Sequence, residues 1–173
     1  MKRALINYVQ QPKNDSLYTP AEAIIPLLSF LPVDWVWWEP TDDGGRSGIT
    51  KVLRERGFKV IATSLDEGVD FFTSLPPRHF DAIITNPPYS LKNQFLKRAY
   101  EIGKPFAFLL PITTLEGRER GELFRKYGVE VLVLDRRTDF TGKKNCWFNV
   151  SWFCWKILPS PLLFAELGKL YKE

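Results

Sequence analysis

The tetrapeptide Asn86-Pro87-Pro88-Tyr89 is the part of the sequence whose residue types and spacing best fit a chemical reaction. Two consecutive prolines restrict the backbone and remove two N–H donors, so the loop presents its carbonyl oxygens outward. The Asn86 side-chain oxygen and the Pro87 carbonyl can both accept hydrogen bonds from one planar NH2 group. Tyr89 adds an aromatic face on which a base can stack. The tetrapeptide therefore predicts a site that binds a conjugated amino group.

Methyl transfer to an exocyclic amine is the chemistry that such a loop can support. The nitrogen lone pair of this amine is conjugated into its ring and is poorly available. Two acceptors can pull the amino group toward tetrahedral geometry and align its lone pair on a methyl donor. This is catalysis by positioning and electrostatics, so it needs no nucleophilic side chain or strong base. The alternative is a purely structural, proline-rich turn after a strand.

Strand and helix patterns alternate through the middle of the chain. Strands are predicted at 35–38, 58–62, 80–85, 105–110, 129–134 and 147–157. Helices are predicted at 49–56, 92–102 and 119–127, and another begins at Thr19-Pro20 with Thr19 as its cap. The pattern predicts an α/β fold with a mostly parallel, doubly wound sheet. Its last two strands form an antiparallel hairpin at the outer edge, and 162–170 is a short amphipathic tail.

Polar residues follow three of the predicted strands. Glu39-Pro40, Asp66 and Asn86 lie at or just past their carboxyl ends. Ligands of open α/β sheets bind at the carboxyl ends of the strands. We therefore expect these residues around one crevice that holds a cofactor together with a substrate.

Length and composition indicate one globular domain over residues 1–173, with 1–17 as a flexible N-terminal segment. The hydrophobic fraction of 45% is enough for one core. The net charge of +4 is compatible with a polyanionic partner. No apolar stretch resembles a signal peptide or a membrane span, so a cytoplasmic protein without a membrane partner is expected. The two cysteines and the single His79 form no metal-binding pattern, and no metal is predicted.

Basic and aromatic residues are interleaved between the last two predicted strands. Such a segment suits phosphate contact combined with base stacking. A solvated hairpin loop is the open alternative. The nucleic-acid-binding residues predicted here are Arg136, Arg137, Lys143, Lys144 and Trp147.

With these residues the sequence resembles class I S-adenosylmethionine-dependent methyltransferases, above all the N6-adenine methyltransferases, whose catalytic motif is Asn-Pro-Pro-Tyr after a strand. The order of Tyr18-Thr19-Pro20, Glu39-Pro40 and the tetrapeptide resembles the gamma arrangement of DNA adenine methyltransferases without a target-recognition part. Segments 105–120 and 143–155 resemble small phage- and prophage-encoded members. The resemblance implies a Rossmann-like fold and the cofactor S-adenosylmethionine.

The resemblance also implies roles for individual residues. Asn86 and Pro87 would hold an adenine amine flipped out of DNA, Tyr89 would stack on the base, and Pro88 completes the catalytic motif. The methionine end of the cofactor would meet Tyr18, Thr19 and Pro20. Its amino-acid part would meet Glu39, Pro40, Thr41, Gly44 and Gly45. Its ribose would meet Asp66, and its adenine would meet Asp70 and Phe71.

The turn after Glu39 departs from the family pattern of a compact Gly-x-Gly loop. It is longer and carries Asp42 and Asp43, which could repel the cofactor carboxylate or bind its ammonium. Three alternatives therefore stay open. The acceptor could be adenine in RNA or a glutamine amide of a protein, since both present a planar NH2 group. The chain could also be a catalytically degenerate methyltransferase-fold binding protein of phage origin. Nucleic acid, above all DNA, is the expected partner, and a protein partner or a homodimer is a further expectation.

Overall fold

The computed structural model describes residues 18–141 and 149–172. The segment 1–17, expected to be flexible, and the basic residues Lys143 and Lys144 lie outside them. The strands are β1 (Val36–Glu39), β2 (Lys59–Ala62), β3 (Ala82–Thr85), β4 (Phe106–Pro111), β5 (Glu130–Leu134), β6 (Val150–Trp155) and β7 (Leu162–Ala165). The α-helices are α1 (Ala21–Ile24), α2 (Gly48–Glu55), α3 (Lys92–Ile102) and α4 (Arg118–Tyr127). Short 3-10 helices span Ile25–Phe30, Tyr89–Leu91 and Ile112–Leu115.

The strands form one sheet in the order β2-β1-β3-β4-β6-β5-β7. Strands β2, β1, β3 and β4 are parallel, and β6 runs antiparallel to both β4 and β5. The mostly parallel sheet with an antiparallel hairpin is therefore confirmed. The expected position of the hairpin was wrong, because β7 pairs in parallel with β5 and forms the outer edge. The predicted tail at 162–170 thus begins as a strand, in which Leu163 and Ala165 pack inward while Phe164 is exposed.

Helices cover both faces of the sheet, as a doubly wound fold requires. One face packs on α1, the 3-10 turn after it and α2, and it carries Trp37, Leu109 and Trp152. The other face packs on α3 and α4 and carries Trp38 and Phe108. Neighbouring strand residues point to opposite faces, so the two adjacent tryptophans fill two different cores.

Helix α1 has only four residues, and Pro26 just after it explains why it is short. Pro26 lies at the first turn of the 3-10 segment, which begins after Ile24, because proline cannot continue the hydrogen-bond pattern of an α-helix. Pro20 occupies the N-cap position and makes no side-chain cap hydrogen bond. The expectation that Thr19 caps this helix was therefore wrong, and its hydroxyl bonds elsewhere.

Parallel strands bring several loops to the carboxyl end of the sheet. Strands β1, β2, β3 and β4 all end there, and β5 does too because it shares the antiparallel partner β6 with β4. The segments after Glu39, Ala62, Thr85 and Leu134 consequently share this end of the molecule. None of the helices within 18–141 and 149–172 is both long enough and apolar enough to cross a membrane.

Candidate active site

The loop Asn86 to Pro88 connects β3 to the turn that starts α3. All four residues of β3 are buried, so the strand fixes the position at which the loop begins. Asn86 is half-buried, and its Nδ2 donates a hydrogen bond of 2.9 Å to Thr19 Oγ1. Tyr89 is half-buried at the end of the sheet and packs against both hydrophobic cores. The backbone after it is held by Lys92 Nζ, which donates to the Tyr89 carbonyl at 3.1 Å.

Glu39 ends β1 as a carboxylate that is only 1% exposed. Its Oε1 accepts hydrogen bonds from the Thr41 backbone N–H at 2.9 Å and the Thr41 hydroxyl at 3.0 Å. Its Oε2 accepts one from the Ser47 hydroxyl at 3.2 Å. Burial raises the pKa of Glu39 to about 7, while hydrogen bonds from Thr85, Thr41 and Ser47 act in the opposite direction. A cation beside this carboxylate would favour its ionised form.

The raised pKa of Glu39 predicts a pH-dependent stability. The carboxyl binds its proton more tightly in the folded protein than in the unfolded chain, so its stabilising contribution is fully present below about pH 4.5 and is lost as the pH rises through about 7. Between pH 5 and pH 8 we expect the free energy of unfolding of the wild type to fall by roughly 2 kcal/mol relative to Glu39→Gln. Urea denaturation of both proteins at each pH measures this difference. Curves that stay parallel across the range would contradict it.

The acidic turn after Glu39 uses left-handed backbone at three consecutive positions, Asp43, Gly44 and Gly45, with φ values of 54°, 66° and 85°. Glycine adopts this conformation readily. The Asp42 carboxylate is 3% exposed, and its Oδ2 accepts a hydrogen bond from the Gly45 N–H. Its Oδ1 makes no hydrogen bond within the part of the chain that the structure describes. The turn therefore leaves a buried acceptor oxygen unused.

Helix α2 begins directly after this turn. Ser47 is its N-cap and accepts a hydrogen bond from the Ile49 N–H, while its hydroxyl donates to Glu39. Gly48 follows in close contact with the start of the chain: a Cβ built there would lie 1.9 Å from the Thr19 carbonyl oxygen. The exposed ring of Tyr18 is the next neighbour of this position. The start of α2, which follows the glycine turn assigned to the cofactor, is therefore in contact with Tyr18 and Thr19.

The residues predicted for the ribose and adenine of the cofactor lie in the segment after β2. Asp66 is exposed in a turn. Asp70 closes its own turn, because its carboxylate accepts hydrogen bonds from the Phe72 N–H and the Thr73 hydroxyl. Phe71 is 3% exposed and stacks on Phe95 at 4.8 Å between ring centroids. The structure thus places Phe71 in the core, and its contact with the cofactor's adenine stays a prediction.

The structure describes only part of the basic segment that follows β5. The Arg136 guanidinium donates to the Leu167 carbonyl at 3.0 Å and forms an ion pair of 3.5 Å with Asp135. It therefore holds the segment after β7 against the end of β5. Arg137 is exposed at the carboxyl end of the sheet. Lys143, Lys144 and Trp147 lie outside the described residues, so the nucleic-acid contact of this group stays a prediction.

Sequence reasoning missed two hydroxyl groups of the site. Ser47 joins the helix cap to Glu39, and the Thr85 hydroxyl lies 2.5 Å from that of Thr41. A serine before an amphipathic helix is a recognised cap signal that could have identified Ser47. Thr85 directly precedes the tetrapeptide, but a buried strand residue gives no sequence signal of this contact.

The cofactor expected from the resemblance, S-adenosylmethionine, can be tested against these groups. Its ammonium needs acceptors, and Glu39 together with the unused Oδ1 of Asp42 provides buried carboxylate oxygens near the start of α2. These acceptor groups at the amino-acid end therefore fit the cofactor. The core position of Phe71 gives no corresponding support at the adenine end.

Comparison with solved structures identifies the fold. A protein described as a class I S-adenosylmethionine-dependent methyltransferase from Listeria monocytogenes matches with a TM-score of 0.52 at 12% identity, over 95% of this chain and 70% of that chain. A modification subunit described as part of a type I restriction enzyme from Vibrio vulnificus matches with a TM-score of 0.51 at 11% identity, and this chain spans half of its length. No protein-family model and no curated protein matches the chain. The chain therefore has the Rossmann-like fold of class I S-adenosylmethionine-dependent methyltransferases.

Proposed function

We propose that this chain is an S-adenosylmethionine-dependent methyltransferase that methylates the exocyclic N6 amine of adenine in DNA. The observation that carries the proposal is the position of the tetrapeptide beside the buried acid of β1. Strands β1 and β3 are neighbours in the sheet, and the Thr41 and Thr85 hydroxyls connect their carboxyl ends. The loop proposed to bind the target amine and the carboxylate proposed to bind the cofactor ammonium therefore lie at the carboxyl ends of neighbouring strands.

Each group has a chemical task in this arrangement. S-adenosylmethionine supplies an electrophilic methyl group when it is bound. Glu39 and Asp42 would hold its ammonium, and burial strengthens this attraction because water screens it less. The Asn86 Oδ1 and the Pro87 carbonyl would accept hydrogen bonds from the target amine and orient its lone pair. Tyr89, whose ring packs against both cores, would stack on the base.

Adenine in DNA is proposed as the methyl acceptor because of the positive charge of the chain and its resemblance to DNA adenine methyltransferases. The net charge of +4 and the basic residues after β5 favour a nucleic acid over a protein glutamine as the acceptor. RNA remains the closest competing acceptor, because adenine presents the same NH2 group there. We include in the same proposal that the chain is a small, phage-type methyltransferase that acts in the cytoplasm. Its association with a protein partner or with a second copy of itself stays a prediction.

A catalytically degenerate binding protein is the second candidate function. Two observations favour it: the acidic turn replaces the compact glycine loop, and Phe71 is packed in the core. Calorimetric titration separates the two candidates, because a methyltransferase must bind S-adenosylmethionine saturably. Failure of the folded protein to bind this cofactor would favour the degenerate protein.

A competition assay with labelled S-adenosylmethionine tests the acceptor. Duplex DNA, single-stranded RNA and a glutamine-containing peptide are supplied together, and the label in each is measured. We expect label in DNA, as N6-methyladenine, at about tenfold or more above the other acceptors, which corresponds to roughly 1.4 kcal/mol of discrimination. Label chiefly in RNA or in the peptide would replace DNA by that acceptor.

A further inference from the structure

We infer that Thr19 is a positioning residue that sets the orientation of the Asn86 amide; its catalytic consequence rests on the proposed function. The Asn86 Nδ2 donates to Thr19 Oγ1 at 2.9 Å, and Thr19 is only 4% exposed. An asparagine amide has a donor end and an acceptor end, and only the acceptor oxygen can bind a target NH2 group. In the structure Thr19 binds the donor end, and Oδ1 is turned away from Thr19.

The contact joins residues 67 positions apart, so the fold must hold Thr19 in place. Two features do this. Gly48 is the first residue of α2, and it lies so close to the Thr19 carbonyl that there is no space for a Cβ. Pro20 takes the N-cap position of α1 without a side-chain hydrogen bond, so the Thr19 hydroxyl is not used to cap that helix. Thr19 therefore lies between the start of α2 and the catalytic loop.

This assignment differs from the role that the resemblance implies. A residue that lines the cofactor site affects cofactor affinity, whereas a residue that orients Asn86 affects the rate of transfer. Measurements of kcat and of cofactor affinity therefore distinguish the two roles. The two roles also separate in the hydrogen bonding of the Asn86 amide, which can be observed without any substrate.

The kinetic test compares Thr19→Val, which keeps the side-chain shape and removes the hydroxyl, with Thr19→Ser, which keeps the hydroxyl. We expect Thr19→Val to lower kcat by roughly 10- to 100-fold, as a misplaced catalytic group does. Affinity for S-adenosylmethionine, measured by calorimetry, should stay within about twofold, and Thr19→Ser should restore most of kcat. Weakened cofactor binding with unchanged kcat would overturn the inference.

The spectroscopic test follows the two side-chain Nδ2 protons of Asn86 by NMR, assigned by their loss in Asn86→Ala. We expect these protons to exchange with water at least about tenfold faster in Thr19→Val than in the wild type or Thr19→Ser, because the hydrogen bond that protects them is absent. Thr19→Ala serves as a second variant without the hydroxyl. Equal exchange in the wild type, Thr19→Ser, Thr19→Val and Thr19→Ala would overturn the inference. A wild type that methylates nothing would refute the proposed function, while the exchange rates would still decide the role of Thr19.

Discussion

Replacement of Asn86 by alanine is expected to lower the rate of methyl transfer by about 10³-fold, which is the scale seen when one polar group that stabilises a transition state is removed. The variant loses the side-chain oxygen that would accept a hydrogen bond from the target amine, and the Pro87 carbonyl alone cannot orient the lone pair. Single-turnover transfer to DNA with saturating S-adenosylmethionine measures the loss. Cofactor affinity should change by no more than about twofold, because Glu39 and Asp42 remain.

Asn93→Ala is the matched control for this prediction. Asn93 lies in the first turn of α3, and its side chain is hydrogen-bonded to Glu119 and Arg120 rather than to the loop that contains Asn86. We expect this variant to lose about 1 kcal/mol of stability and to keep its transfer rate. An equal loss of rate in both variants would mean that Asn86 supports the fold and does not take part in transfer.

Substitution of Gly48 by alanine is expected to destabilise the protein by about 3 kcal/mol, the upper end for an overpacked core position. The added Cβ would lie 1.9 Å from the Thr19 carbonyl oxygen, which belongs to the backbone and cannot rotate away. Helix α2 and the segment at Thr19 must therefore separate. Denaturant unfolding measures the stability, and calorimetry should record a loss of S-adenosylmethionine affinity in the same variant.

Gly121→Ala provides the control for a glycine within a helix. A Cβ at Gly121 would meet only the end of the Arg125 side chain, at 3.2 Å, and this flexible group can move. Alanine is the better helix former, so we expect a gain of about 0.5–1 kcal/mol. A Gly48→Ala variant as stable as Gly121→Ala would show that the close approach of Thr19 to α2 is not required.

The sequence was sufficient to predict most of the sheet, because its strands are short apolar runs separated by glycine turns and amphipathic segments. Helix α3, for example, begins and ends as predicted, with Gly103 at φ 74° after its last residue. Strand β7 was not predicted. Its two outward residues, Leu162 and Phe164, are apolar and obscure the alternation of a strand, and its partner β5 is about 30 residues away along the chain.

The candidate site was predictable where chemistry depends on residue type, and unpredictable where it depends on distant contacts. The tetrapeptide at the end of β3 is recognisable from its own residues. The hydrogen bond between Asn86 and Thr19 is not, because three strands and two α-helices lie between the two residues in the chain. Local rules assigned Thr19 to a helix cap, and a tertiary hydrogen bond prevailed over that preference.

Helix α1 and the 3-10 turn after it contact several residues that come much later in the chain. The Ala23 carbonyl accepts a hydrogen bond from the Trp152 indole at 2.7 Å, and the Glu22 carbonyl accepts one from the Gly168 N–H at 2.9 Å. Phe30 packs on Tyr171. During synthesis, helix α1 leaves the ribosome long before these partners exist, and the part of its surface that they cover stays exposed until β6 and β7 have been made.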